Sequence, residues 1–323
     1  MNAVERVRNI LNYCINEVQM YRQCPNSKYY NFWPCDYNNN WFNHFVEHRG
    51  LAKERHRLNF FSVFGNPLLP RIIPGKKVFF TGENLADNSI HSIGRAFKKT
   101  FPVYDLVLGF DYEVEDSRVN YMRFPLWIAF LIDPTADYQK IKETIERIND
   151  PSTRLNASRD RFACLVASHD KTGIRQKLYD VLMPIASVTC PGRFQNNTNE
   201  LHDLYANDKR EYLKLFKFNV CPENSSTPGY ITEKLFDSFA SGCIPIYFGG
   251  GTEEIEPDIV NQGAFIRYWD DGRMDWMDTV RELWESPSAY RAVAEIPPFK
   301  EQAADVIYAY MENLHDKLAA IVR

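Results

Sequence analysis

The sequence predicts an α/β protein of two lobes, each built on a parallel sheet. Three observations predict it. The chain has 323 residues, more than one core of about 150 residues organises. Short apolar runs bounded by Gly, Pro, Asn or Asp read as buried parallel strands, and helical periodicity recurs between them. The alternation also breaks once, at Asn149-Asp150-Pro151-Ser152, and restarts at Arg161. Lobes are therefore expected over 1–155 and 156–297, with a last helix over 298–323 that returns to the first.

The elements follow in order. Residues 1–23 place Val4, Val7, Ile10, Leu11, Cys14, Ile15 and Val18 at three- and four-residue steps, which paints one side of an amphipathic helix. Its polar side mixes signs, so it reads as a helix packed on the first lobe and not as a basic membrane-binding one. Tyr29 to Trp33 reads as a strand that ends at Pro34 and opens into the loop Asp36-Tyr37-Asn38-Asn39-Asn40. A helix over Trp41 to His48 comes next, then strands over Leu58–Phe64, Lys77–Phe80 and Tyr104–Phe110, and a helix over Asp137–Arg147.

The second half repeats the alternation. Strand Phe162–Ala167 leads to helix Ile174–Leu182, and strands Ala186–Thr189 and Lys217–Cys221 lead to helix Glu233–Ser241 and strand Ile244–Phe248. The Asn-rich, charged stretch from Asn196 to Asp208 reads as a surface loop followed by a helix. The closing helix, about Pro298 to Val322, carries Ala304, Val306, Ile307, Tyr310, Leu314 and Leu318 on one side.

Composition narrows the function. With 45% hydrophobic and 25% charged residues the chain folds around large cores. A net charge of -4 argues against general nucleic-acid binding, so any anionic partner is small and met locally. No apolar stretch reaches the roughly 18 residues that span a bilayer, and the N-terminus lacks a secretory pattern. A cytoplasmic protein is expected, at most touching the inner face of a membrane. Seven cysteines without a C-x-x-C pair read as buried thiols. No histidine spacing suits zinc, so no protein-held metal is expected.

In open parallel sheets the reactive loops lie beyond the carboxyl ends of the strands. There Phe218 to Ser225 feeds a polar loop and then Tyr230-Ile231-Thr232-Glu233-Lys234-Leu235-Phe236. Thr232 is placed to cap the helix, and Gly242 to stop it. Lys234 in the first turn faces exposed N–H groups that already favour an anion, a conflict that a phosphate resolves. Taken alone, Glu233 and Lys234 read as a capping carboxylate and a solvated amine, and a second, similar site turns the reading toward a ligand. A second cation, Arg175, opens the helix after Ser168-His169-Asp170, and two such cations at strand ends in one lobe suit a diphosphate.

The run CPENSSTPGYITEKLFDSFASGCIPIYFGG resembles the donor-binding signature of the alpha-1,3-fucosyltransferase family. VFGNP at Val63–Pro67, VFFTGEN at Val78–Asn84 and YMRFPLW at Tyr121–Trp127 resemble that family's N-terminal blocks in the same order. The resemblance runs from about Tyr29 onward. It implies a GT-B fold of two Rossmann-like lobes facing across a cleft, GDP-L-fucose as donor substrate, inversion at the anomeric carbon, and no required cofactor.

Residue by residue, it implies that Glu83 is the general base, that Arg175 and Lys234 hold the diphosphate, and that Glu233 meets the fucose ring. Asn224 and Tyr230 fall on donor-contacting positions. A base on the face opposite the leaving group suits inversion, and fixed cations suit a departing diphosphate. Trp33, Asp36, Tyr37 and Asn38 offer the aromatic and amide groups that hold a neutral sugar acceptor. Arg123 reads as a structural ion pair. The expected reaction is fucose transfer to the 3-hydroxyl of N-acetylglucosamine or glucose in an oligosaccharide or glycolipid. Alternatives are an alpha-1,4 linkage, another GDP-sugar, or a silent carbohydrate- or nucleotide-binding protein. A bacterial member is expected, because neither a membrane anchor nor paired luminal cysteines are seen.

Overall fold

The computed structural model describes residues 27–33, 39–51, 58–85 and 94–323. The expected helix over 1–23, the acceptor candidates Asp36, Tyr37 and Asn38, and Cys14, Cys24 and Cys35 lie outside the described residues. The chain divides into two units, Met1–Asp137 with Ala309–Arg323, and Tyr138–Tyr308.

The first unit holds a parallel sheet of β1 (Ser27–Tyr30), β2 (Leu58–Phe61), β3 (Lys76–Phe80), β4 (Leu106–Gly109) and β5 (Tyr121–Arg123), in that spatial order. Phe60 pairs with Val78, and Phe79 with Val107. All four β2 residues and all four β4 residues are buried, as expected of strands covered on both faces. β5 was not anticipated, because three residues with polar neighbours carry no readable period.

Aromatic rings fill this unit. The helix Trp41–His48 lies where its periodicity placed it, and Asn40 caps it by accepting from the Asn43 amide at 2.9 Å. It lays Phe42 against Phe60 and Phe80, with centroids 5.2 and 4.7 Å away. Each such ring contributes about 1.5–3 kcal/mol by leaving water.

The C-terminal helix, Ala303–Val322, buries Met311, Leu314 and Leu318. It starts after Pro298 because the 298–300 backbone is engaged elsewhere. The Pro298 carbonyl accepts from Asn261, and the Phe299 and Lys300 amides donate to Asn149 Oδ1 and the Ile259 carbonyl. Within the first unit, Tyr310 accepts from Arg123 at 2.9 Å, Glu312 pairs with Arg49 at 2.7 Å, and Lys317 donates to Asn120 at 3.1 Å.

The second unit holds β6 (Arg161–Cys164), β7 (Val188–Thr189), β8 (Phe216–Val220), β9 (Ile244–Tyr247) and β10 (Ile266–Arg267), all parallel, in the order β10-β9-β8-β6-β7. The chain steps from β6 to β7 on one side, then returns to lay β8, β9 and β10 on the other. The strand order therefore reverses between β6 and β8, where doubly wound sheets open a crevice at their carboxyl ends. The helices Ile174–Leu182 and Glu233–Ala240 follow β6 and β8.

β10 and the helices Asp275–Glu285 and Pro287–Ala294 went unread, although Trp276, Val280 and Leu283 form a buried stripe at helical spacing. Between Asn196 and Asp208 the expected loop is followed by a short helix, Glu200–Asp203. The Pro151–Thr153 turn lies inside this unit. Cys164, Cys190, Cys221 and Cys243 are buried free thiols.

Candidate functional site

The loops after β6 and β8 meet at the point of strand reversal. There a cavity of about 90 Å³ is lined by Leu165 and Val166 from one side and by Asn219 to Pro222 from the other, with Arg175, Lys209, Glu233 and Lys234 completing it. Three residues expected from the sequence, Arg175, Glu233 and Lys234, thus share one hollow. Asn224 reaches it through its hydrogen bond to Arg175, and Tyr230 is buried but is not among its lining residues.

Arg175 is brought in by the first turn of its helix. Gly173, with φ of 80°, turns the chain ahead of that helix, and Asp170 satisfies the end by accepting from the Gly173 and Gln176 amides, each at 2.9 Å. The Arg175 side chain is only 7% exposed. It donates to the His169 carbonyl and to Asn224 Oδ1, both at 2.8 Å. No carboxylate among the described residues lies within ion-pair distance of it. Burial pulls its guanidinium below the ordinary arginine value, with Asp170 and Glu223 opposing. Burial and the Arg175 charge together lower the His169 imidazole. A buried guanidinium with only neutral acceptors is poised for an anion.

Lys234 has a different setting. Thr232 occupies the N-cap position of the helix Glu233–Ala240 but makes no side-chain cap. This corrects the expectation that its hydroxyl caps the helix. The reason is Glu223, whose side chain is fully buried. Glu223 Oε1 accepts from the Thr232 amide at 2.7 Å, the Thr232 hydroxyl reaches both carboxylate oxygens at 2.9 and 2.8 Å, and Tyr247 contacts Oε1 at 3.3 Å. Lys234 Nζ donates to Oε2 at 2.6 Å. The negative group that a cation at this helix start demands is therefore built in.

The sequence reading gave Glu223 no role, although it stands in the same motif. A Cβ on Gly249, where φ is 153°, would come within 2.6 Å of Glu223 Cγ, so only glycine fits against this side chain. Lys209 was also missed. It comes from a separate helix, Lys209–Leu213, and pairs with Asp237 at 3.0 Å, while Arg210 pairs with the same carboxylate at 2.8 Å. Nothing local in its sequence marks it. Glu233 is half-buried, and burial raises its carboxyl above the ordinary glutamate value while Lys234 pulls it down. Tyr230 is 1% exposed.

In the first unit, Glu83 and Trp33 both follow carboxyl ends of parallel strands, β3 and β1. The Thr81 hydroxyl accepts from the Glu83 amide at 2.9 Å and fixes the turn after β3. Glu83 is half-buried. Trp33 packs against Phe64 and Phe80, with centroids 5.2 and 5.4 Å away, and faces a cavity of about 520 Å³ with Asn39, Asn40, Leu126 and Phe130. Glu83 is not among the described residues that line that cavity. Arg123 donates to Tyr310 and to the Phe110 carbonyl and lies over the Tyr112 ring.

Residues 27–130 match the family model for the alpha-(1,3)-fucosyltransferase FucT N-terminal domain, and residues 156–293 match that for the glycosyltransferase family 10 (fucosyltransferase) C-terminal region. An alpha-(1,3)-fucosyltransferase FucT from Helicobacter pylori is 31% identical over 256 residues, which is 71% of this chain and 49% of that protein. An alpha-(1,3)-fucosyltransferase B from Drosophila melanogaster is 41% identical over 78 residues, 21% of this chain and 18% of the relative. The chain thus spans about half the length of the first of these relatives and less of the second.

Among solved structures, an alpha1,3-fucosyltransferase crystallised with GDP-fucose superposes with a TM-score of 0.57 at 22% identity, covering 90% of each chain. Another alpha1,3-fucosyltransferase structure gives 0.58 at 23% identity, covering 92% of this chain and 91% of the other. These support the GT-B architecture of two parallel-sheet lobes. Two consecutive family models, in the order that the sequence motifs indicated, place this chain in the fucosyltransferase family, glycosyltransferase family 10.

Proposed function

We propose that the chain is an inverting alpha-1,3-fucosyltransferase that moves L-fucose from GDP-L-fucose to the 3-hydroxyl of N-acetylglucosamine or glucose in a lactosamine- or lactose-type oligosaccharide or glycolipid. The observation that carries the donor half of this reading is the hollow at the strand reversal, where Arg175, Lys234 and Glu233 converge and Arg175 is buried without a carboxylate. Residues 156–297 form the donor lobe in this reading, residues 1–155 the acceptor lobe with the base, and 298–323 the helix that packs back on it.

In the proposed reaction, the acceptor hydroxyl attacks the anomeric carbon of fucose as the bond to GDP breaks. The hydroxyl proton passes to the Glu83 carboxylate. The electron pair of the broken bond stays on the diphosphate, whose growing charge Arg175 and Lys234 neutralise. Glu233 offsets positive charge developing on the sugar ring, as carboxylates do beside oxocarbenium-like transition states. Trp33, with the Asp36–Asn38 loop, is assigned to the acceptor. Charge neutralisation by side chains leads us to expect that a chelator leaves transfer intact.

The test is to incubate the protein with GDP-fucose and lactose, N-acetyllactosamine or its beta-1,3 isomer, and to assign the product linkage by NMR. Fucose on the 3-hydroxyl with inverted anomeric configuration is expected. Transfer only to a 4-hydroxyl, or GDP binding without transfer to any acceptor, would replace the reading with one of its alternatives.

A further inference from the structure

We infer that Glu223 is a positioning residue for the donor diphosphate and acts through Lys234; the inference rests on the donor assignment of that hollow. A lysine ammonium on a four-carbon stem in the first turn of a helix is repelled by the helix's positive end and has many rotamers open to it. Here it is held to one place. Glu223 Oε2 accepts from Nζ at 2.6 Å, while Oε1 is fixed independently by the Thr232 amide at 2.7 Å and by Tyr247 at 3.3 Å.

The carboxylate is therefore anchored before Lys234 is counted. It is wholly buried, and Gly249 leaves room for it by lacking a Cβ. Its anchoring also takes the Thr232 hydroxyl away from the helix cap, which a merely convenient surface pair would not require.

The contrast with Arg175 gives the arrangement its meaning. The guanidinium is rigid and planar, is held by two neutral acceptors, and meets no carboxylate at ion-pair distance among the described residues. The ammonium is flexible, so it is set in position by a counter-ion at the cost of partial neutralisation. Glu223 is wholly buried and is not among the residues that line the hollow. Its effect on the diphosphate runs through the location of Nζ.

The experiment is a double-mutant cycle on GDP affinity, measured by calorimetry in the full chain, with Glu223→Gln and Lys234→Ala singly and together. Glu223→Gln is expected to weaken GDP about tenfold when Lys234 is present and less than about twofold in the Lys234→Ala background. In turnover, it should raise KM for GDP-fucose more than it lowers kcat. Equal losses in both backgrounds would show that Glu223 serves only the fold and would overturn the inference, as would no loss at all.

Urea unfolding of the same four proteins separates this from the donor reading. If the wild type binds no GDP, the donor reading falls, and additive unfolding effects of the two substitutions then refute the Glu223–Lys234 coupling as well, whereas non-additive effects uphold it. Should Glu223→Gln not fold, Glu223→Asp takes its place, keeping the charge but withdrawing it by one methylene. An intermediate loss that disappears in the Lys234→Ala background is expected.

Discussion

Asn224 Oδ1 accepts a 2.8 Å hydrogen bond from Arg175 Nη2, fastening the first turn of the helix after β6 to the loop after β8. This bond spans the reversal of strand order, and it sets the guanidinium within the hollow that the two loops enclose. Asn224→Ala removes an acceptor from a buried charged group, a loss of about 1–3 kcal/mol, so GDP affinity should fall about tenfold. Arg175→Lys should do at least as much damage, since an ammonium cannot reproduce the planar fork that reaches both His169 and Asn224. Calorimetry with GDP checks both; a lysine variant that binds like wild type would remove the fork from the account.

Glu83 stands apart from these contacts, after β3 in the other unit, and so predicts a different phenotype. Replacing it with glutamine keeps the shape of the turn set by Thr81 but deletes the carboxylate proposed to take the acceptor proton. Turnover should fall by roughly 10²-fold or more, with GDP affinity unchanged in calorimetry. A matching loss of GDP affinity would assign Glu83 to donor binding.

Glu233 carries a pH signature. Burial is the main cause that raises its carboxyl above the ordinary glutamate value, Glu223 adds to it, and Lys234 and Lys209 oppose. A raised acid is favoured by folding in its protonated form. That contribution is present below the ordinary value and is lost as pH rises through the raised one. Where Glu233 is ionised it therefore costs stability. Glu233→Gln should gain in melting temperature over the wild type as pH rises, with the advantage shrinking toward about pH 4, even as transfer fails. Thermal denaturation across that range tests it, and an advantage that grows on acidification would contradict the sign.

How far the sequence disclosed this site follows from where its residues lie along the chain. Arg175, Asn224, Glu233 and Lys234 were legible because each follows the carboxyl end of a strand and three belong to one motif. Glu223 was hidden for a physical reason: its partners, Thr232, Lys234 and Tyr247, are defined by the tertiary loop, and a lone Glu after Cys-Pro has no period to betray burial. Lys209 arrives from a five-residue helix whose only mark is a charged cluster.

The same contrast runs through the fold. Helices Trp41–His48 and Ile174–Leu182 stood where their apolar spacing placed them, since a well-formed stripe is a local property. β5 and β10 have three and two residues and owe their existence to the neighbouring strand, so no local pattern announces them.

The buried thiols yield a last prediction. Cys164, Cys190, Cys221 and Cys243 are free, and burial pushes Cys190 up to about 11, Cys221 to about 12, Cys243 to about 11, and Cys164 well above the ordinary thiol value. Since the thiolate is the reactive form, none of the four should react with Ellman's reagent at pH 8 in the native protein. The sequence holds seven cysteines, so seven less these four leaves at most three that react before unfolding and seven after it. Cys221 adds a link to the hollow proposed for the donor, because it lines the cavity and accepts from the Ser238 hydroxyl at 3.4 Å. GDP should therefore leave the native thiol count unchanged but delay exposure of Cys221 as urea is raised, which peptide mapping of the labelled protein would register. Rapid native labelling at Cys221 would mean that the loop after β8 opens readily, and the hollow could not then hold Arg175 dry.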